Sequence, residues 1–520
     1  MDNLEGCVAL SLAAVFLVLA WTVFNWLWLR PKRLERHLRT QGFSGNSYRL
    51  LFGDIKENAA MMKEARSRPI NLSDDITPRV TPFINHYVKN WGKRSFTWTG
   101  PTPMVNIMEP QLIKEILLKH VIFPKQKQNP LARLLISGLV SLEGQKWVKH
   151  RKIIRPAFSL DKLKHMLQAF DLCCGETISK WEKMVSSPSS MGWCEIDVWP
   201  DLEALTADAI SRTAFGSNYE EGRRVFQLQK EQAVLAAESM RSIYIPGWRL
   251  LPTKNNKRMK AICREVEALL LDIINRRVKA MDAGDSCGND LLGILLESNL
   301  KEIQEQGNDR KLGMSIEEVI EECKLFYFAG QETTSALLGW TLVLLSRHQD
   351  WQQRAREELF QLLGSDVMPS FDALTHLRVV HMILLEVLRL YPPIVALVRS
   401  VPEDVSVGGL LLPAGVKLFL PAILIHRDNE IWGDDANEFK PERFENGASQ
   451  ATNGQVAYFP FGWGPRICIG QNFALLEAKM AMAMILRRFW FELSPSYVHA
   501  PATVITLQPQ YGAQLVLHKL

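Results

Sequence analysis

The chain has 520 residues, with 61 Lys and Arg against 56 Asp and Glu, for a formal net charge of +5. That length predicts a large buried core, and the near balance of charge speaks against a nucleic-acid partner. The eight cysteines include no C-x-x-C pair, and Cys173 and Cys174 are adjacent, so there is no pattern of a disulfide framework or zinc site and a reducing compartment is expected.

In chain order, residues 7–29 come first: 23 positions without a charge, rich in Leu, Val, Ala and Trp, and long enough to span a bilayer. Trp21, Trp26 and Trp28 near the end of this run suit a membrane–water interface. A cleaved signal peptide would have a shorter apolar run and a basic start, where Asp2 and Glu5 stand here. Arg30, Lys32, Arg33, Arg36 and Arg39 follow, opposed by Glu35 alone. The positive-inside rule then places the rest of the chain in the cytoplasm, with the basic cluster able to meet anionic headgroups. The expected organisation is an anchor over 1–29, a basic linker over 30–45 and one mainly helical catalytic domain with small sheets over 46–520. Two short polar stretches, 186–190 and 445–454, read as surface loops.

Trp147 and Arg151 are spaced to share one face of a helix, with Lys149 and Lys152 roughly opposite. The lysines fit either a solvated face or a docking site for an acidic electron donor. Residues 315–347 read as one long helix, opened by a capping box of Ser315 and Glu318. At about 1.5 Å per residue it is roughly 50 Å long, enough to cross a domain. A second membrane span here would bury Gln331, Glu332, Thr333 and Thr334 in hydrocarbon, so a helix inside the protein is expected. Gly330 costs about 1 kcal/mol relative to alanine and needs a local reason. Thr333 could simply bond back to a carbonyl one turn earlier. Glu386 and Arg389, at i and i+3, share a helical face.

The most informative segment is Phe461-Gly462-Trp463-Gly464-Pro465-Arg466-Ile467-Cys468-Ile469-Gly470. It sets a cysteine in a glycine-rich loop before a helix-like segment over 474–488. A thiolate there would lie near the positive end of that helix, which should lower its pKa and favour a metal. Gly464 permits a tight turn, Gly470 permits close approach of a flat cofactor, and Arg466 can meet a carboxylate.

This loop resembles the haem-binding loop of the cytochrome P450 family, and further motifs of that family occur in the same order. They are Trp147…Arg151, Ala329-Gly330-Gln331-Glu332-Thr333-Thr334, Glu386…Arg389 and Phe439-Lys440-Pro441-Glu442-Arg443-Phe444. The resemblance implies a cytochrome P450-like fold and haem b held by Cys468 as metal ligand. It implies Trp147, Arg151, Arg399 and Arg466 at the haem propionates, with Phe461, Gly464 and Gly470 shaping the loop. By the same resemblance, Thr333 would bond oxygen held at the iron or an ordered water, and Glu332 would help bring protons in. Ala329 and Gly330 would leave room beside the iron, and Glu386, Arg389 and Arg443 would form a buried ionic cluster. The implied redox partner is NADPH–cytochrome P450 reductase at the endoplasmic reticulum membrane.

Residues 125–140, Phe326, Phe328, Ala329, residues 393–397 and Pro509-Gln510-Tyr511 correspond loosely to the family's substrate-contacting segments, and their apolar character suggests a hydrophobic small molecule. Trp28-Leu29-Arg30-Pro31, Pro246-Gly247-Trp248-Arg249 and Leu507-Gln508-Pro509-Gln510-Tyr511-Gly512 are similar to the plant clan that includes secologanin synthase. That similarity implies terpenoid-derived substrates (iridoid, triterpenoid, gibberellin or steroid-like) or herbicides. Two other functions share the scaffold: a haem-thiolate isomerase or dehydratase working without a reductase, and a non-enzymatic haem or steroid binder. The intact Glu332-Thr333 pair favours the monooxygenase over both.

Overall fold

The structure, a computed structural model, describes residues 2–187, 192–216, 219–240, 247–283, 290–305, 313–363 and 368–520. Pro246 and part of the loop expected at 186–190 lie outside the described residues.

Helix α1 (Asp2–Phe24) runs through a π-helical turn at Asn25–Leu29 into α2 (Arg30–Thr40). Among the described residues, the stretch Leu10–Thr40 holds the one window long and apolar enough to cross a membrane. The side chains of that apolar window stand exposed: Leu10 is 73% exposed and Phe16 70%. Such a surface is unfavourable in water and suits lipid. The basic segment that follows is not extended. It is helical and buries Pro31, Leu34, Glu35 and Leu38 against the domain, with Glu35 accepting hydrogen bonds from Lys32 and Arg39.

Among the described residues the domain is a helical body with four small sheets. The site depends on α3 (Gly144–Ile154), α4 (Leu160–Val185), α5 (Trp199–Phe215), α6 (Tyr219–Met240), α7 (Ile316–Arg347), α8 (Arg378–Leu390) and α9 (Gln471–Arg488). Strands β1 (Phe96–Thr99), β2 (Thr102–Asn106), β4 (Leu397–Ser400) and β7 (Lys417–Leu420) form one sheet in the order β1-β2-β7-β4. The β2–β7 pair is parallel and its neighbours are antiparallel. A second sheet joins β3 (Trp193–Asp197), β8 (Phe489–Leu493) and β11 (Gln514–Lys519) in the order β3-β11-β8. Two hairpins complete the set: β5 (Val405–Val407) with β6 (Leu410–Leu412), and β9 (Pro501–Thr503) with β10 (Leu507–Pro509).

Helix α7 is the spine. Its capping box is formed as the sequence predicts, with Ser315 and Glu318 bonded reciprocally. From Glu322 to Ser346 every residue is buried except Ala329, Gly330, Gln331 and Thr333. Gly330 and Gly339 let α5 approach closely: a Cβ on Gly330 would sit 2.8 Å from Ile210, and one on Gly339 3.0 Å from Trp199. The local reason for Gly330 is therefore helix–helix packing, not only space beside a cofactor.

Glu386 and Arg389 on α8 are both fully buried and joined by two hydrogen bonds of 2.7 and 2.8 Å. The guanidinium also donates to the carbonyls of His426 and Glu438, at 2.7 and 3.0 Å, so its charge is spread over fixed acceptors. Arg443 stands 3.7 Å from Glu386 and makes its shorter contacts with Asp435 and the Trp432 carbonyl. The ionic cluster therefore includes Asp435, which the sequence reading did not name.

Candidate haem site

The cysteine loop is held by its own backbone. Cys468 N–H donates to the Phe461 carbonyl at 2.9 Å, and Gly462 N–H to Phe459 at 2.9 Å. Gly464 adopts φ of +71°, and a Cβ there would lie 3.1 Å from the Leu117 carbonyl, so a side chain would be strained twice over. At Gly470 a Cβ would make ordinary contacts, 3.7 Å from Phe158 and 4.0 Å from the Cys468 sulfur. The protein itself does not forbid a side chain at Gly470, and any need for glycine there comes from what the loop holds.

Cys468 is exposed, yet it lies deep within the protein mass, so its open face meets an internal space rather than bulk water. Burial pushes its thiol up, against the Gly470 N–H, Arg151 and Lys125, which pull it down. The expectation of a lowered pKa is thus reversed in the protein alone, because desolvation outweighs the helix end. A bound metal would deprotonate the sulfur outright.

A cluster of cations surrounds this space. Arg466 is buried, lies 4.0 Å from the centroid of the Trp147 ring, donates to the Leu142 carbonyl at 2.8 Å and pairs with Glu143. Arg399 on β4 is buried and donates to the Val398 carbonyl. The Nε atoms of both arginines are buried without a hydrogen-bond partner. Lys125 pairs with Arg399 through a backbone bridge, and its Nζ donates to the Val140 carbonyl at 2.9 Å. Burial, with Arg399 and Arg466 nearby, lowers the Lys125 pKa to about 8; burial, with Arg466, lowers that of Arg399 to about 10. Glu143 is the carboxylate that offsets both. Orphaned guanidinium nitrogens in a buried, under-neutralised cationic cluster fit an anionic ligand, and the two carboxylates of haem would meet that demand. Trp147 and Arg151 lie on the adjacent helix α3, and Arg151 is close enough to the Cys468 sulfur to affect its charge.

The sequence reading did not place Lys125 in the cationic cluster and missed Glu143 altogether. An isolated lysine in a loop gives no periodic signal. A buried His426 was also missed: its Nε2 accepts the Phe459 N–H at 3.1 Å, and burial near Arg389 lowers its pKa to about 3. A neutral imidazole therefore supports the start of the cysteine loop.

On α7, Ala329, Gly330 and Thr333 open one face of an otherwise buried segment. Thr333 Oγ1 donates to the Ala329 carbonyl at 2.8 Å, the back-bonded arrangement. Glu332 is buried and leans toward the β9–β10 hairpin, accepting from Thr506 at 2.9 Å and from Gln508. Burial raises its pKa, against the pull of those donors.

Of the substrate segments, Phe328 clusters with Leu131, Leu135, Ala233 and Ala236, with Ile505 against them. Phe326 instead packs edge-on against Phe158, 6.0 Å between centroids, near the cysteine loop. Tyr511 is 47% exposed, so the turn that enters the interior is 504–506 and not Pro509-Gln510-Tyr511. Lys149 donates to the Gly313 carbonyl at 2.8 Å and Lys152 pairs with Glu302 at 2.6 Å. Both tie α3 to neighbouring elements. A groove of about 710 Å³ along α4, lined by Asp171 and Lys180, shares no residue with this site.

Comparison with known proteins agrees with this geometry. The family description Cytochrome P450 matches residues 78–515. The chain is 61% identical to Cytochrome P450 CYP72A219 of Panax ginseng over 97% of each chain. It is 52% identical to Secologanin synthase 1 of Catharanthus roseus, over 100% of this chain and 99% of the relative. A solved structure, retinoic acid bound cyanobacterial CYP120A1, superposes with a TM-score of 0.72 at 25% identity, covering 84% of this chain and 94% of that one. With a family match over residues 78–515 and relatives this similar along nearly the whole length, the chain belongs to the cytochrome P450 family and is a haem-thiolate monooxygenase of the plant CYP72 clan.

Proposed function

We propose that this monooxygenase oxidises a hydrophobic, terpenoid-derived small molecule. It would work at the endoplasmic reticulum membrane, with its domain in the cytoplasm and electrons from NADPH–cytochrome P450 reductase. The substrate class is supported by the likeness to a secologanin synthase and by the apolar Phe328–Leu131–Leu135 cluster facing Ile505. Apolar surroundings with few polar anchors recognise shape and hydrophobic area.

In this reading Cys468 ligates the iron, and Arg399, Arg466, Lys125, Trp147 and Arg151 hold the propionates. Phe461, Gly464 and Gly470 would shape the loop that presents Cys468 to the haem. When bound, the haem supplies activation of dioxygen, so that one oxygen atom enters a C–H bond and the other leaves as water. The chain's own tasks are to orient the carbon, exclude water and govern proton entry. Ala329 and Gly330 keep the open face of α7 free of bulk. Thr333 carries a hydroxyl proton on that face, and Glu332 is a buried carboxyl one residue away, able to exchange a proton toward it. The single observation that carries this reading is the break in burial at Ala329, Gly330, Gln331 and Thr333 within a buried helix.

The test is incubation of full-length enzyme and reductase with a plant terpenoid extract. NADPH-dependent products heavier by one oxygen are expected. Turnover of non-terpenoid compounds alone would overturn the substrate class.

A further inference from the structure

We propose that Thr506 and Gln508 are positioning residues for Glu332, through which the β9–β10 turn ties filling of the substrate space to proton delivery. This rests on the reading of Glu332 as a proton-relay group.

Three side chains close a triangle. Thr506 Oγ1 donates to Glu332 Oε2 at 2.9 Å, Gln508 Nε2 donates to the same oxygen, and Gln508 Nε2 also reaches Thr506 Oγ1 at 2.9 Å. Thr506 is 1% exposed and Glu332 5%, so no bulk water competes for these bonds. Both bonds stabilise the charged carboxylate, whereas burial favours the neutral acid, and burial prevails in the net upward shift. Two of the groups that set this balance, Thr506 and Gln508, belong to one hairpin, so their placement affects where the proton resides. On its other side Glu332 senses Glu203 of α5 and Lys230 of α6, which pair with each other at 2.9 Å. Lys230 is 64% exposed and so touches solvent.

The same turn reaches the substrate space. Its base is fixed: Trp340 Nε1 donates to the Leu507 carbonyl at 2.9 Å, and Leu507 N–H to Pro393 at 3.0 Å. Its tip is partly open. Val504 lines a cavity of about 330 Å³ together with Phe83, Met104 and Val395 and the polar Asp54, Arg66 and Thr503, and Ile505 packs on the Phe328 cluster. Consecutive residues therefore touch this space and the relay acid, and successive Cα atoms are only about 3.8 Å apart. A molecule pressing on Val504 and Ile505 must shift the Thr506 hydroxyl, because close-packed interiors transmit displacement.

The test uses full-length haem-loaded enzyme in lipid nanodiscs with reductase and the terpenoid that gives a one-oxygen product in the extract screen. Thr506→Val, Thr506→Val with Gln508→Leu, Thr506→Ser and Glu332→Gln are compared. Haem content by the carbon monoxide spectrum should be equal in all. Thr506→Val and the double variant should release several-fold more hydrogen peroxide per NADPH, with an altered solvent isotope effect, and Thr506→Ser should restore coupling. In the resting enzyme, the infrared carboxyl band identified by its loss in Glu332→Gln should shift in Thr506→Val. An unmoved band in Thr506→Val and an unchanged peroxide share in Thr506→Val and the double variant, while Glu332→Gln uncouples, would overturn the positioning role and leave the relay standing. Unchanged coupling in Glu332→Gln would remove the relay, and the inference with it.

Discussion

The hydrogen that Gly330 carries in place of a side chain decides how closely α7 and α5 approach. A Cβ there would press on Ile210 from 2.8 Å, an overpacking that typically costs about 1–3 kcal/mol, against a gain of about 1 kcal/mol in helix propensity. Gly330→Ala should therefore lower stability by up to about 2 kcal/mol in denaturant unfolding, and should become stabilising in an Ile210→Ala background. The same loss in both backgrounds would place the constraint elsewhere. His426 gives a second prediction at this scale. Its imidazole is neutral in the fold, with a pKa lowered from 6.5 to about 3, chiefly by burial. The unfolded chain takes up a proton below about pH 6.5 that the folded one refuses, so this group withdraws stability as pH falls from there toward about 3 and has no effect above. His426→Gln retains an acceptor for the Phe459 N–H and should flatten the fall in stability between pH 7 and pH 5. An undiminished slope would assign the acid sensitivity to other groups.

Elements show why parts of the site were legible in the sequence and parts were not. Cys468, Thr333 and the Glu386–Arg389 pair sit in fixed local patterns, where spacing and turn chemistry carry the information. Lys125, Glu143 and His426 reach the site only through tertiary contacts that bring together a loop, the start of α3 and a segment after β7, and no local pattern marks them. The hold of Thr506 and Gln508 on Glu332 joins residues more than 170 positions apart and was equally invisible. Arg443 shows the intermediate case: its motif was evident, but its preference for Asp435 over Glu386 was not. Within α8, replacing one member of a buried pair leaves the other uncompensated, at about 3–5 kcal/mol. Glu386→Ala should accordingly yield little or no haem-loaded protein, since Arg389 loses its counter-ion and the Lys440 N–H its acceptor. Normal haem content in purified Glu386→Ala would contradict this.

On the scale of the whole molecule, the chain is an apolar helix that continues into a catalytic body through α2. The basic residues expected in a linker instead form α2, whose Leu34 and Leu38 are buried in the domain core. Removal of residues 2–29 should leave a folded, haem-binding protein with weakened membrane association. Extending the deletion through residue 42 should cost several kcal/mol, because two leucine side chains leave the core. Equal thermal stability of the two truncations would show that α2 is not part of the domain. The account as a whole depends on the sulfur of Cys468 binding iron in the internal space it faces. The direct measurement is the ferrous carbon monoxide difference spectrum of the wild type and of Cys468→Ala, with turnover recorded on the same samples. The wild type should show the red-shifted band of a thiolate-ligated haem, and Cys468→Ala should lose both band and turnover. An unchanged band and undiminished turnover in Cys468→Ala would contradict the assignment.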